Sequence, residues 1–187
     1  MTAPNADQLD SARSGRPLVL VVDDDPLYIQ LINMALKEQC ELLTSRNGLD
    51  ALRLMKEHLP DLVLLDVMMP EIDGLAVFRK ARADAALADI PIIFMTAMTS
   101  TANQTAALLL SAADYLIKPI NVAHLRLRVR NQLDLRRQRD ELQALTRELA
   151  STKAELALAL ERVRTLESTP ANPAPKTRRS GRGHPRG

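Results

Sequence analysis

Leu18-Val19-Leu20-Val21-Val22-Asp23-Asp24-Asp25-Pro26 is the stretch on which the fold turns. Five consecutive apolar residues end abruptly on three carboxylates. A strand with one wet face would alternate apolar and polar residues, so an unbroken run predicts a strand buried on both faces. Asp25 then reads as a helix N-cap, with Pro26 at the first helical position. Leu27, Gln30, Leu31, Met34, Ala35 and Glu38 continue that helix at its own period.

The same strand, turn and helix recur downstream. Strands are expected at 41–44, 61–65, 90–95 and Asp114–Ile117, and helices over Gly48–His58, Gly74–Ala83 and 100–110, with a last one opening near Asn121. Five apolar strands alternating with five helices predict an α/β fold, a doubly wound five-stranded parallel sheet covered on both faces. Chemistry in such sheets gathers beyond the carboxyl ends of the strands.

The totals bound what such a domain does. The chain has 187 residues, enough for one ordinary domain with extensions. Only 2% are aromatic and none is Trp, so the core must come from Leu, Val, Ile, Ala and Met. Net charge is +2, but residues 168–187 contribute Lys176, Arg178, Arg179, Arg182 and Arg186 and no acid, leaving the remainder mildly acidic. The single cysteine, Cys40, excludes an internal disulfide framework and fits a reducing, cytoplasmic setting. Residues 1–16 carry no apolar run of signal-peptide type and read as a disordered leader, and no stretch is long and apolar enough for a membrane span.

Strand ends then supply a set of side chains. Asp23 and Asp24 follow the first strand, Asp66 the third, Thr96 the fourth and Lys118 the fifth. A lone Asp after a strand is usually a turn or cap residue. Together they make one pocket of three carboxylates, a hydroxyl and an ammonium. Crowded carboxylates repel unless a cation joins them or one is protonated. Hard oxygen ligands suit Mg²⁺, and a carboxylate is also a nucleophile able to form an acyl phosphate.

These residues carry a resemblance to two-component receiver domains over about 17–133. Its carriers are Val21-Val22-Asp23-Asp24, Asp66-Val67-Met68-Met69-Pro70-Glu71-Ile72-Asp73-Gly74, Thr96-Ala97 and Lys118-Pro119, in the family's order. The resemblance implies a flavodoxin-like sheet of order 2-1-3-4-5 and Mg²⁺ as cofactor. It makes Asp66 the phosphoacceptor, Asp24 a direct metal ligand, Asp23 the second acid, and the Met68 backbone carbonyl a further metal ligand. Thr96 and Lys118 would contact the phosphoryl group, Tyr115 would report the switch by its rotamer, and Lys118-Pro119 would be cis. A sensor histidine kinase or phosphotransfer protein would be the phosphodonor. Side chains two past Asp66 and two past Thr96 would govern how water approaches. Here they are Met68 and Met98, whose thioethers are weak acceptors, so a long-lived phosphorylated state is expected. The bland alternatives are a half-buried strand role for Tyr115, loop shaping for Asp73-Gly74, packing for Cys40, and a degenerate receiver that never takes phosphate. No ligand-like spacing links His58, His124 and His184.

From Asn121 nothing interrupts a helix until Pro170. Leu135, Leu142, Leu149, Leu156 and Val163 recur every seven residues, with Gln138, Leu145, Thr152, Ala159 and Leu166 three further on. This a/d pattern predicts a coiled coil over 134–167. The flanking g-to-e pairs Asp134–Arg139, Glu148–Lys153 and Arg162–Glu167 favour a parallel homodimer. A lone amphipathic helix folded back on the domain, or one awaiting a different partner, is the competing reading. The Pro-, Gly- and Arg-rich tail, 168–187, reads as disordered. With no DNA-binding module or catalytic motif in the remaining chain, the expected product is a phosphorylation-controlled switch rather than an enzyme. The alternatives are a nucleic-acid-associated regulator working through the tail, or the receiver part of a longer cyclic-dinucleotide-type regulator. The tail has no aromatic for base stacking, which argues against nucleic acid.

Overall fold

A computed structural model of the chain describes residues 15–97 and 113–167. Most of the expected leader, Met98, the expected helix at 100–110 and the tail lie outside the described residues. Along the chain run β1 (Leu18–Val22), α1 (Pro26–Leu36), β2 (Glu41–Ser45), α2 (Gly48–His58), β3 (Leu62–Asp66), α3 (Gly74–Ala83), β4 (Ile92–Thr96), β5 (Asp114–Ile117) and α4 (Val122–Glu167). The five strands form one sheet of order β2-β1-β3-β4-β5, and every neighbouring pair is parallel. This is the doubly wound arrangement the apolar runs call for.

Strand alternation divides the core between two faces. Leu20, Val22, Val63, Leu65, Ile92 and Phe94 point to the side covered by α2 and α3. Val19, Val21, Leu62, Leu64, Ile93 and Met95 point to the side covered by α1 and the first turns of α4, where Leu125 and Val129 are buried. All residues of β1 and β3 are buried. That explains why the sequence shows no polar alternation there.

Several boundaries shift by one or two residues, each for a local reason. β3 begins at Leu62 rather than 61, because the Asp61 side chain accepts a 2.7 Å hydrogen bond from Leu18 N and so ties the entrance of β3 to that of β1. β3 also takes in Asp66, which is paired with Met95 of β4. β4 runs from Ile92 to Thr96 rather than over 90–95. Pro91 has no N–H to give a ladder, while Thr96 is paired with Ile117. α1 stops at Leu36, short of Glu38, because the Leu36 carbonyl accepts from both Gln39 N and Cys40 N, which turns the chain into β2.

α4 opens on Asn121, whose side chain accepts from Ala123 N and His124 N at 2.9 and 3.2 Å. Arg136 of α4 donates to the carbonyls of Pro60 and Asp61. The chain divides into one compact unit ending at Asp140 and another beginning at Glu141. In the second unit Leu142, Leu145, Leu149, Leu156, Leu158, Leu160 and Val163 are all exposed. Among the described residues no helix is long and apolar enough to cross a membrane.

Candidate functional site

The carboxyl ends of β1, β3 and β5 place Asp23, Asp24, Asp66 and Lys118 together. One carboxylate oxygen from each of Asp23, Asp24 and Asp66 lies within 4.8 Å of the others. Asp23 is fully buried and Asp66 nearly so. At such separations each pair of like charges costs about 3 kcal/mol or more if an effective dielectric constant of about 20 applies. The cluster therefore needs positive charge.

Lys118 supplies one. Its Nζ lies 2.8 Å from Asp23 Oδ2 and 2.8 Å from Asp66 Oδ2, on a side chain only 11% exposed. With Asp66 it makes a directed hydrogen bond. Asp23 Oδ2 meets it as an ion pair without a completed hydrogen bond. That buried anionic oxygen is the feature that most favours a further cation. Burial pushes the Asp23 carboxyl up from its ordinary value, aided by Asp66 and opposed by Lys118 and the Asp25 N–H. Burial alone would pull the Lys118 ammonium down, but its close contacts with the Asp23 and Asp66 carboxylates outweigh this and its pKa is raised.

Backbone geometry fixes the acids. Asp25 N donates to Asp23 Oδ1 at 3.0 Å, and the Asp25 side chain caps α1 through Leu27 N. The N-cap reading of Asp25 is thus correct. Met68 N donates to Asp66 Oδ1 at 3.3 Å, while the Met68 side chain is 68% exposed. Gly74 N donates to the Val67 carbonyl, and Asp73 caps α3 through Ala76 N. Asp73 and Gly74 therefore build the loop beside Asp66. Thr96 ends β4 next to Met95, the partner of Asp66, and its carbonyl accepts from Lys118 N. Lys118-Pro119 is cis, as expected.

Tyr115 stands apart from the acids. It is 46% exposed on β5 with the Arg128 guanidinium 5.7 Å from its ring centroid. Two residues that sequence reasoning passed over belong to the site. Tyr28 of α1 places its ring centroid 4.2 Å from Lys118 Nζ. Arg46, just after β2, donates Nε and Nη2 to the Asp24 carbonyl. Neither side chain carries a spacing signal, since both contacts arise between distant segments.

A family model described as the response regulator receiver domain matches residues 19–130. The DNA-binding response regulator MtrA of Mycolicibacterium smegmatis is 39% identical over 127 residues, 67% of this chain and 54% of that protein. Response regulator PleD of Caulobacter vibrioides is 38% identical over 66% of this chain and 28% of its own length. The chain thus spans about half or less of these relatives. Among solved structures, a putative response regulator from Chloroflexus aurantiacus aligns with TM-score 0.59 and 30% identity, covering 64% of this chain and 98% of that one. The receiver domain of sensor histidine kinase PA1611 from Pseudomonas aeruginosa, solved with a magnesium ion in its active-site cleft, aligns with TM-score 0.59 and 26% identity, covering 64% and 98%. With the sheet order, the acid cluster and the matched span all agreeing, the chain belongs to the response regulator receiver domain family.

Proposed function

We propose that this chain is a phosphorylation-dependent switch of a two-component system, with Asp66 as phosphoacceptor and a sensor histidine kinase or phosphotransfer protein as donor. The observation that carries this is the buried cluster of Asp23, Asp24 and Asp66 with Lys118 bridging two of them. A carboxylate oxygen of Asp66 attacks the donor's phosphorus. The new P–O bond forms as the donor's bond to phosphorus breaks, giving an acyl phosphate. Mg²⁺ fits the donor set of hard oxygens and when bound neutralises charge on the phosphoryl oxygens. Asp24, Asp23, Asp66 and the Met68 carbonyl are the residues that would hold it. Lys118 pairs with the phosphoryl group once Asp66 loses its charge, and Thr96 contributes a hydroxyl from the adjoining strand end. Tyr115 is the proposed readout of the switch, and the cytoplasm is the proposed location. Acetyl phosphate with Mg²⁺ should add a single phosphoryl group, read by intact-protein mass spectrometry. No adduct from either acetyl phosphate or a phosphorylated kinase would overturn the reading.

Asp23 ionisation and Mg²⁺ binding should move stability in opposite directions. Asp23 is an acid whose folded pKa is raised. Its ionised form therefore costs stability at pH above that folded value, and the cost disappears as pH falls below it. Asp23→Asn removes the charge and should raise Tm in EDTA. Wild type should instead gain from Mg²⁺, by about 1.4 kcal/mol at ten times the dissociation constant, and the variant should gain much less. A lower Tm for Asp23→Asn in EDTA would count against a charge-strained site.

The proposed domains are a receiver over 17–133 and a parallel homodimeric coil over 134–167. Exposure of Leu142, Leu145, Leu149, Leu156 and Val163 supports the coil, because a leucine seam is stable only when covered. Exposed g–e pairs contribute about 0.2–1 kcal/mol each, so they select orientation more than they create stability. Light scattering at tens of micromolar should give a dimer, at least with beryllofluoride present. Leu145→Cys in a Cys40→Ser background should crosslink under mild oxidation. A monomer throughout, or a dimer that does not crosslink, would rule out the parallel pair.

A further inference from the structure

We infer that Tyr28 is a positioning residue for phosphotransfer: its ring face holds the Lys118 ammonium at the pocket while that ammonium exchanges a carboxylate for the phosphoryl group. The inference rests on the assignment of Asp66 as phosphoacceptor. Among the described residues, the Lys118 Nζ lies against Asp23 Oδ2, Asp66 Oδ2 and the Tyr28 ring, at 4.2 Å from its centroid. The two carboxylates do not offer the same hold throughout the reaction. As Asp66 attacks phosphorus its charge passes into the new bond, and the ammonium must turn toward the phosphoryl oxygens. Among the described residues, the ring is the neutral partner of that ammonium, and its attraction does not depend on the charge of Asp66. An aromatic face within about 6 Å attracts a cation, and does so more strongly out of water.

The ring is well placed to act this way. Tyr28 lies in the first turn of α1, downstream of the Asp25 cap and Pro26. It is half-buried and packs against the buried cluster that includes Val19, Ile32 and Leu116, so the core restrains its orientation. The Lys118 side chain has four rotatable carbons and would otherwise gain freedom when its bond to Asp66 weakens. Restricting it keeps the cation where charge develops, which is worth rate because the restriction is already made before the reaction begins.

The experiment compares wild type, Tyr28→Phe and Tyr28→Leu in full-length chain, with acetyl phosphate and Mg²⁺. Phe keeps the face and should phosphorylate within about twofold of wild type. Leu removes it and should lower the maximal rate about three- to tenfold, with the half-saturating acetyl phosphate concentration little changed. Thermal unfolding identifies any loss that comes from the fold. The discriminating readout is a double-mutant cycle with Lys118→Met. If the ring acts through the ammonium, Tyr28→Leu should cost nothing further in that background. An independent readout needs no turnover. The chain has two tyrosines and no Trp, so in Tyr115→Phe all tyrosine emission comes from Tyr28, and it should change when Mg²⁺ and beryllofluoride move Lys118. If wild type is labelled but Tyr28→Leu matches it, or the loss persists in full in Lys118→Met, or the emission stays constant, the inference fails while the phosphoacceptor reading stands. If wild type takes no phosphoryl group from any donor, the phosphoacceptor reading fails first.

Discussion

Asp66→Asn should take no phosphoryl group from acetyl phosphate under conditions that label the wild-type chain to completion. The substitution changes one oxygen for an NH₂ of nearly the same size. The hydrogen bond from Met68 N to Oδ1 survives in the amide orientation that turns the NH₂ toward Lys118, so the ammonium must lean to Asp23, and the packing of β3 against β4 is untouched. What disappears is the charge and the nucleophilic lone pair. An amide oxygen is a poor nucleophile toward phosphorus, so the expected loss is several orders of magnitude rather than a few-fold. The variant should remain folded. The three acids carry three negative charges against the single ammonium of Lys118, so removing one relieves repulsion and leaves Lys118 paired with Asp23. Labelling of Asp66→Asn at the wild-type rate, on any residue, would show that Asp66 is not the phosphoacceptor. Asp24→Ala should instead slow labelling in a manner that added Mg²⁺ partly restores, because it removes a proposed metal ligand but leaves the nucleophile.

The parts of the fold that were legible are those written as periodicity or as residue type at a strand end. An unbroken apolar strand cannot sit at a wet surface, and an acid directly after one must lie at the carboxyl edge of the sheet. These two facts place Asp23, Asp24 and Asp66 before any coordinate is known. Boundaries are less legible because they depend on individual partners. Asp61 leaves β3 because it takes the N–H of Leu18, 43 residues away. The Tyr28–Lys118 contact spans ninety positions and leaves no trace in spacing. Arg46 reaches the Asp24 carbonyl in the same way. The heptads were legible as a seam, and the contacts of this one chain leave that seam exposed, so sequence and structure alike stop short of naming what covers it.

Gly74 was also legible as a loop residue, but the reason for glycine there comes only from three dimensions. A Cβ on Gly74 would lie 2.1 Å from the Asp66 carbonyl oxygen, 3.0 Å from its carbon and 3.1 Å from Val67 Cα. All three atoms are backbone, so none can rotate aside. Gly74 is not at positive φ, so conformational freedom is not the requirement. Space is. On helix propensity alone Ala would be favoured over Gly by about 1 kcal/mol. The clash reverses that sign, since overpacking against fixed atoms costs about 1–3 kcal/mol. The start of α3 must then withdraw from β3, stretching the 3.0 Å bond from Gly74 N to the Val67 carbonyl and shifting the backbone that carries Asp66. Gly74→Ala should therefore lower Tm and reduce phosphorylation at least tenfold, well beyond what the unfolded fraction explains. Gly48 is the control. Its added Cβ would meet the Val77 Cγ2 methyl at 2.6 Å and the Ile72 carbonyl at 3.1 Å. The closest contact is a side-chain methyl that can turn away, the Ile72 carbonyl at 3.1 Å needs to give only a few tenths of an ångström, and neither atom belongs to Asp66. Gly48→Ala should cost stability but keep labelling per folded molecule near wild type. Equal loss of labelling per folded molecule in both variants would mean that close approach of α3 to the Asp66 backbone does not set the reactivity of the acceptor.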